Sequence, residues 1–99
     1  MNKLAKLARA DAKNVAIQAL GFLAADPERI GGFLAATGIG PGDIRAAAKE
    51  PGFRAGVLDH LAERESVLLA FAQEAGLRPE HILQARDTLA GLPVERDIP

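Results

Sequence analysis

The chain has no cysteine, no tryptophan and no tyrosine, a single methionine, and only Thr37, Ser66 and Thr88 as hydroxyl side chains. Without cysteine there is no disulfide framework, no thiolate nucleophile and no sulfur-ligated metal. The same lack fits a reducing compartment, so a cytoplasmic location is expected. Without Trp or Tyr there is no aromatic platform for stacking bases. None of the three hydroxyls lies in a nucleophile motif such as G-x-S-x-G. Long apolar runs are missing too: Val67 to Ala72 is among the longest and is far too short to span a bilayer. Lys3, Lys6 and Arg9 interrupt the place where the apolar core of a secretory signal would lie.

What remains is a 99-residue chain, 48% apolar and dominated by alanine, with a net charge of −1. That is enough for one domain with a modest core of small side chains, and too apolar for a disordered chain. The charge is unevenly spread: residues 1–13 sum to +3 and the rest to −4. A basic arm on a mildly acidic body could touch an anionic surface, but the body lacks the field of a nucleic-acid binder.

The apolar residues recur at helical spacing, and no stretch alternates over strand length. Leu4, Leu7, Ala8, Val15, Ala19, Leu20 and Leu23 form the stripe of a first helix, firm from about Lys13 to Ala25. Asp26-Pro27 supplies an N-cap and a first-turn proline for a second helix ending near Thr37. Ile30, Phe33, Leu34 and Thr37 lie on one side of it, and its internal Gly31-Gly32 is read as a site of close helix packing, the alternative being a merely soft helix. Pro41 opens a short third helix to about Lys49, and Pro51 a fourth to about Ala62. The fifth, Glu65 to Ala75, shows Leu68, Leu69, Phe71 and Ala72. It is either separate from the fourth or joined to it by a kink. The sixth runs from Pro79 to about Ala90, with Leu77 packing against Ile82 as a hydrophobic staple. The expected fold is an all-α, compact bundle of five to six short helices. Its parts are a basic N-terminal arm (1–12, frayed or weakly helical), a single helical domain (13–91) and a loose tail (92–99).

The chain also resembles itself. A shift of 38 residues pairs Leu20 with Leu58, Leu23 with Leu61, Ala24 with Ala62, Phe33 with Phe71, Gly38 with Gly76, Pro41 with Pro79, Ile44 with Ile82 and Ala47 with Ala85. These are eight identities in 35 pairs, where composition alone would give about three. The expectation is two three-helix units, about 13–50 and 51–90, related by an approximate twofold axis. The alternative is convergent use of glycine to stop helices and proline to start them.

Few constellations could carry chemistry. His60 lies between Asp59 and Glu63, one turn from Arg64; with Glu63 it could be half a metal site or an oriented base. No third ligand stands at readable spacing, and His60 takes the place that Phe22 holds in the first unit, so it reads as a partly buried edge residue. Gly38-Ile39-Gly40-Pro41-Gly42 is superficially like a phosphate loop, but it follows a helix and lacks the P-loop lysine. The four phenylalanines fall on apolar faces and read as core. Ala72, Gly76, Leu77, Ile82 and Ala85 have the spacing of a helix-turn-helix, yet Glu74, Glu80 and Asp87 oppose Arg78 and Arg86 around the would-be recognition helix.

The run AIQALGFLAADPERIGGFLAATGIGPGDIRAAAKEPGF, followed by ESVLLAFAQEAGL, resembles a family of small bacterial proteins known as domain-of-unknown-function family 3572. The likeness covers roughly Val15 to Gly91 and is most specific in ALGFLAADPERI and TGIGPGDIR. Glu50 stands where that family is expected to carry an aspartate, which touches one cap. The resemblance implies a compact helical protein and transfers no catalytic or binding residue.

The resulting expectation is an interaction module, not an enzyme. No catalytic, cofactor-binding or metal-binding residue is assigned. Its partner would be another protein or a second copy of itself, and it would have no membrane span. The competing reading is a helix-turn-helix DNA-binding protein.

Overall fold

The computed structural model describes residues 9–50 and 52–91. The chain forms α1 (Arg9–Ala24), α2 (Pro27–Thr37), a 3-10 turn at Pro41–Asp43 leading into α3 (Ile44–Ala47), α4 (Phe53–Ala62), α5 (Glu65–Ala75) and α6 (Pro79–Ala90), with no strand among the described residues. The protein is an all-α bundle. Helices α1, α4 and α6 pack on one another as its centre, α2 lies over α1 and α4, and α5 closes the other side against α4, α6 and α1.

Local chemistry sets the boundaries. Asp26 Oδ1 accepts from the Glu28 amide at 2.9 Å, and Pro27 occupies the first turn, where no amide donor is needed. Gly38 and Gly76 end α2 and α5 at φ 77° and 72°, a conformation that a Cβ would strain. Their amides reach back to Leu34 O and Ala72 O, capping carbonyls that the helices leave open. Arg64 takes an extended conformation (φ −127°, ψ 93°), so α4 and α5 are two helices.

Several expectations need correction. Residues 9–12, placed in the expected arm, are helical: Ala12 is sealed in the core and Arg9 Nη1 donates to Thr88 O at 3.0 Å. The third helix is only a 3-10 turn and one α-turn, since Ala46, Ala47 and Ala48 give it little apolar surface to bury. Gly31 and Gly32 mark no close packing: a Cβ at either would meet no atom within 4 Å. Thr37 is exposed, its hydroxyl donating back to Phe33 O at 2.9 Å, and Leu69 is 47% exposed, off the core face. Leu77 does pack against the core beside the α5–α6 turn. The remainder of the expected arm (1–8), the tail (92–99) and Pro51 lie outside the described residues.

The two halves correspond closely through their first two helices. Ends that match at the 38-residue shift are Ala24 with Ala62, Pro27 with Glu65, Thr37 with Ala75 and Pro41 with Pro79. Phe33 and Phe71 are 1% and 2% exposed. The rings make reciprocal contacts. Phe22 lies 5.4 Å from Phe71 between ring centroids, and its counterpart His60 lies 5.3 Å from Phe33, the counterpart of Phe71. Each half thus lends a ring from its first helix to the second helix of the other. The third helices break the correspondence: α6 is central, with Ile82 and Ala85 fully buried, whereas Ile44 and Ala47 are only partly covered.

All four phenylalanines are core residues. Phe71→Ala opens a cavity and should cost about 3–5 kcal/mol, measured by chemical denaturation. Gly31→Ala, by contrast, should stabilise by up to about 1 kcal/mol, because it adds helix propensity where nothing obstructs the methyl. A loss of stability there would restore the close-packing reading.

Candidate functional site

Two depressions border α1 and α5. The first is a cleft of about 200 Å³ lined by Leu23, Glu28, Arg29, Gly32, His60, Arg64 and Val67. It forms because α1, α2, α4 and α5 bring two short connections together, at Asp26 and at Arg64. Gly32 leaves one wall without a side chain. Arg29 is steered by two contacts: its guanidinium carbon sits 4.2 Å above the Phe22 ring centroid, and its Nε lies 3.9 Å from Asp26 Oδ2. Arg64 is exposed and makes no ion pair among the described residues.

His60 is the centre of this cleft and is more deeply set than the sequence implied, at 5% exposure. Its ring stands edge-on to Phe33, at 82° between planes, a favoured aromatic geometry. Burial lowers its pKa from 6.5, the Arg64 guanidinium lowers it further, and the Glu63 carboxylate partly offsets them. The pairing with Glu63 imagined from sequence is not made: His60 forms no hydrogen bond among the described residues, and Glu63 is exposed.

The second depression is a groove of about 330 Å³ between α1 and α5, lined by Gln18, Gly21, Phe22, Ala25, Phe71, Glu74 and Ala75. Two rings floor it and small residues form its sides. Sequence reading missed it, because Gly21 and Ala25 lie off the apolar stripe and gain meaning only once α5 is docked beside them. Ile17, 57% exposed on α1, lies outside this groove, beside Ala48, Phe53 and Val57.

The other sequence candidates are placed as follows. Gly38 to Gly42 is a helix stop followed by a 3-10 start, with the Asp43 carboxylate folded against Gly40. Ala72, Ile82 and Ala85 are buried, and Leu77 is half-buried, as a helix-turn-helix core requires. However, α6 offers little to a groove of DNA: between Glu80 and Ala90 no residue is fully exposed. Arg86 is held by Asp87 at 3.1 Å and faces Asp59 at 3.8 Å. No helix of the described residues is long and apolar enough to cross a membrane.

The His60 shift fixes a pH response. A lowered folded-state pKa means that the unfolded chain takes up the proton more readily, so stability rises with pH in this range. The contribution of neutral His60 should be fully present above about pH 6.5 and decline as pH falls below it, levelling off once the folded ring is also protonated. His60→Phe, which copies Phe22, should flatten this slope in denaturation curves collected between pH 7 and 5. An unchanged slope would mean that His60 is not the group responsible.

No curated protein and no solved structure is significantly similar to this chain. Residues 9–92 match a family described as "Protein of unknown function (DUF3572)". The match begins at the first described residue of α1 and takes in every helix of the bundle, His60 and both depressions. The chain belongs to that family.

Proposed function

We propose that this protein is a non-enzymatic interaction module, acting in the cytoplasm, that receives a helical segment of a partner protein or of a second copy in the groove between α1 and α5. The observation that carries this reading is the groove itself. Phe22 and Phe71 underlie its floor, almost wholly covered, while Gly21, Ala25 and Ala75 leave room for close backbone approach. A Cβ at Gly21 would meet nothing within 4 Å, so that space is open to another chain. The reciprocal ring contacts support reading the two halves as copies of one three-helix unit, and a unit that pairs with its own copy is by ancestry a pairing surface.

The absence of catalysis is an expectation of this reading. The one buried titratable side chain, His60, has no partner among the described residues to orient it as a base. The second reading, DNA binding by α5 and α6, is favoured by the buried spacing of Ala72, Ile82 and Ala85. It is disfavoured by the enclosure of α6 and the engagement of Arg86.

Gly21→Gln combined with Ala25→Glu fills the groove at two exposed positions and should leave the thermal transition in place. Sedimentation of the purified protein and in-cell cross-linking should show an association that the wild type makes and the filled variant loses. Equal association by both would contradict the proposal. So would tight, sequence-dependent duplex binding at physiological salt that survives replacement of Lys3 and Lys6 by Gln.

A further inference from the structure

The His60 cleft is separate from the groove, and its chemistry is different. Its lining holds two guanidinium groups, one carboxylate and one imidazole around an otherwise apolar pit. The imidazole is the unusual member. It is nineteen-twentieths buried, yet neither ring nitrogen has a hydrogen-bond partner among the described residues. Nor is either nitrogen sealed away, since Thr88 Oγ1 alone is an enclosed, unpartnered side-chain polar atom among those residues. The ring therefore opens its polar edge into the cleft while Phe33 covers another side. At the matching place in the first half the chain uses phenylalanine, Phe22, which packs equally well at 5.4 Å from its partner ring. Core packing alone thus gives no reason for a polar ring here, and buried polar groups carry a cost unless they are paired.

We propose that this cleft binds a small oxyanion, a phosphate or carboxylate group, with His60 donating to it and Arg29 and Arg64 neutralising its charge. Arg64 supplies a guanidinium uncommitted among the described residues, and Arg29 is held in place by the face of Phe22 and by Asp26. Guanidinium geometry suits both kinds of oxyanion. Glu28 at the margin and Glu63 beside His60 oppose a highly charged ligand, which favours a single anionic group. The cleft is smaller than the roughly 300–1,000 Å³ of sites for drug-sized ligands. At about 200 Å³ it admits one such group or a short-chain acid, not a nucleotide.

Proton NMR of the imidazole resonances tests this, with His81 as the internal reference. Inorganic phosphate and acetate are titrated separately at constant pH, against sodium chloride matched for ionic strength. The expected result is a saturable shift of the His60 resonances with phosphate or acetate, absent with chloride. Whichever ion saturates identifies the class. Arg64→Gln, an exposed change whose fold is checked by circular dichroism, should weaken binding about tenfold, the loss of one charge-assisted contact. Arg45→Gln, exposed on α3, should leave it unchanged. Shifts that stay linear with concentration, that chloride reproduces, or that Arg64→Gln does not alter would overturn the proposal. These outcomes are independent of whether the α1–α5 groove binds a partner.

Discussion

The bundle depends on a reciprocal exchange of rings between its halves. Phe22 of the first half packs on Phe71 of the second, and His60 of the second packs on Phe33 of the first. A core built mostly of alanine, valine and leucine has little volume per residue. Four large rings placed in pairs therefore carry a disproportionate share of the packing, and each aromatic pair adds about 0.5–1.5 kcal/mol beyond its buried area. Because each pair joins one half to the other, neither three-helix unit has a complete core alone. The third helices follow from the same constraint. Only one of them fits between α1 and α4, so α6 became the long central helix and α3 stayed a single turn at the edge.

Most of the fold was legible in the sequence because its punctuation is chemical. Proline and glycine at 41, 76 and 79, and Asp26 before Pro27, mark ends that the backbone must respect. The C-terminal bound of α5 follows from that grammar, whereas its start at Arg64 carries no such mark. Packing partners were much less legible. Gly31-Gly32 reads as a contact site by composition, yet nothing approaches it. Arg9 reaches a carbonyl 79 residues away, an interaction without local trace. Leu69 looks like core by hydropathy and turns outward by phase.

The candidate sites divide in the same way. His60 stands out in the sequence between Asp59 and Glu63, and the 38-residue shift already pairs it with Phe22. Its depth, its freedom from Glu63 and the convergence of Arg29 and Arg64 required the tertiary arrangement. The groove had no sequence signature, since Gly21 and Ala25 become the wall of a depression only when α5 is alongside. Where the two halves differ, at Phe22 versus His60, lies the one buried polar side chain of the described core. The bundle thus carries one groove over two rings and one charged cleft.

A double-mutant cycle on Phe22→Leu and Phe71→Leu, read by urea denaturation, tests the reciprocal packing most directly. A parallel cycle on Phe22→Leu and Phe53→Leu serves as the control. The account predicts a coupling of about 0.5–1.5 kcal/mol for the first pair and additivity for the second. Additive losses in both cycles would contradict the claim that ring exchange between the halves holds the bundle together.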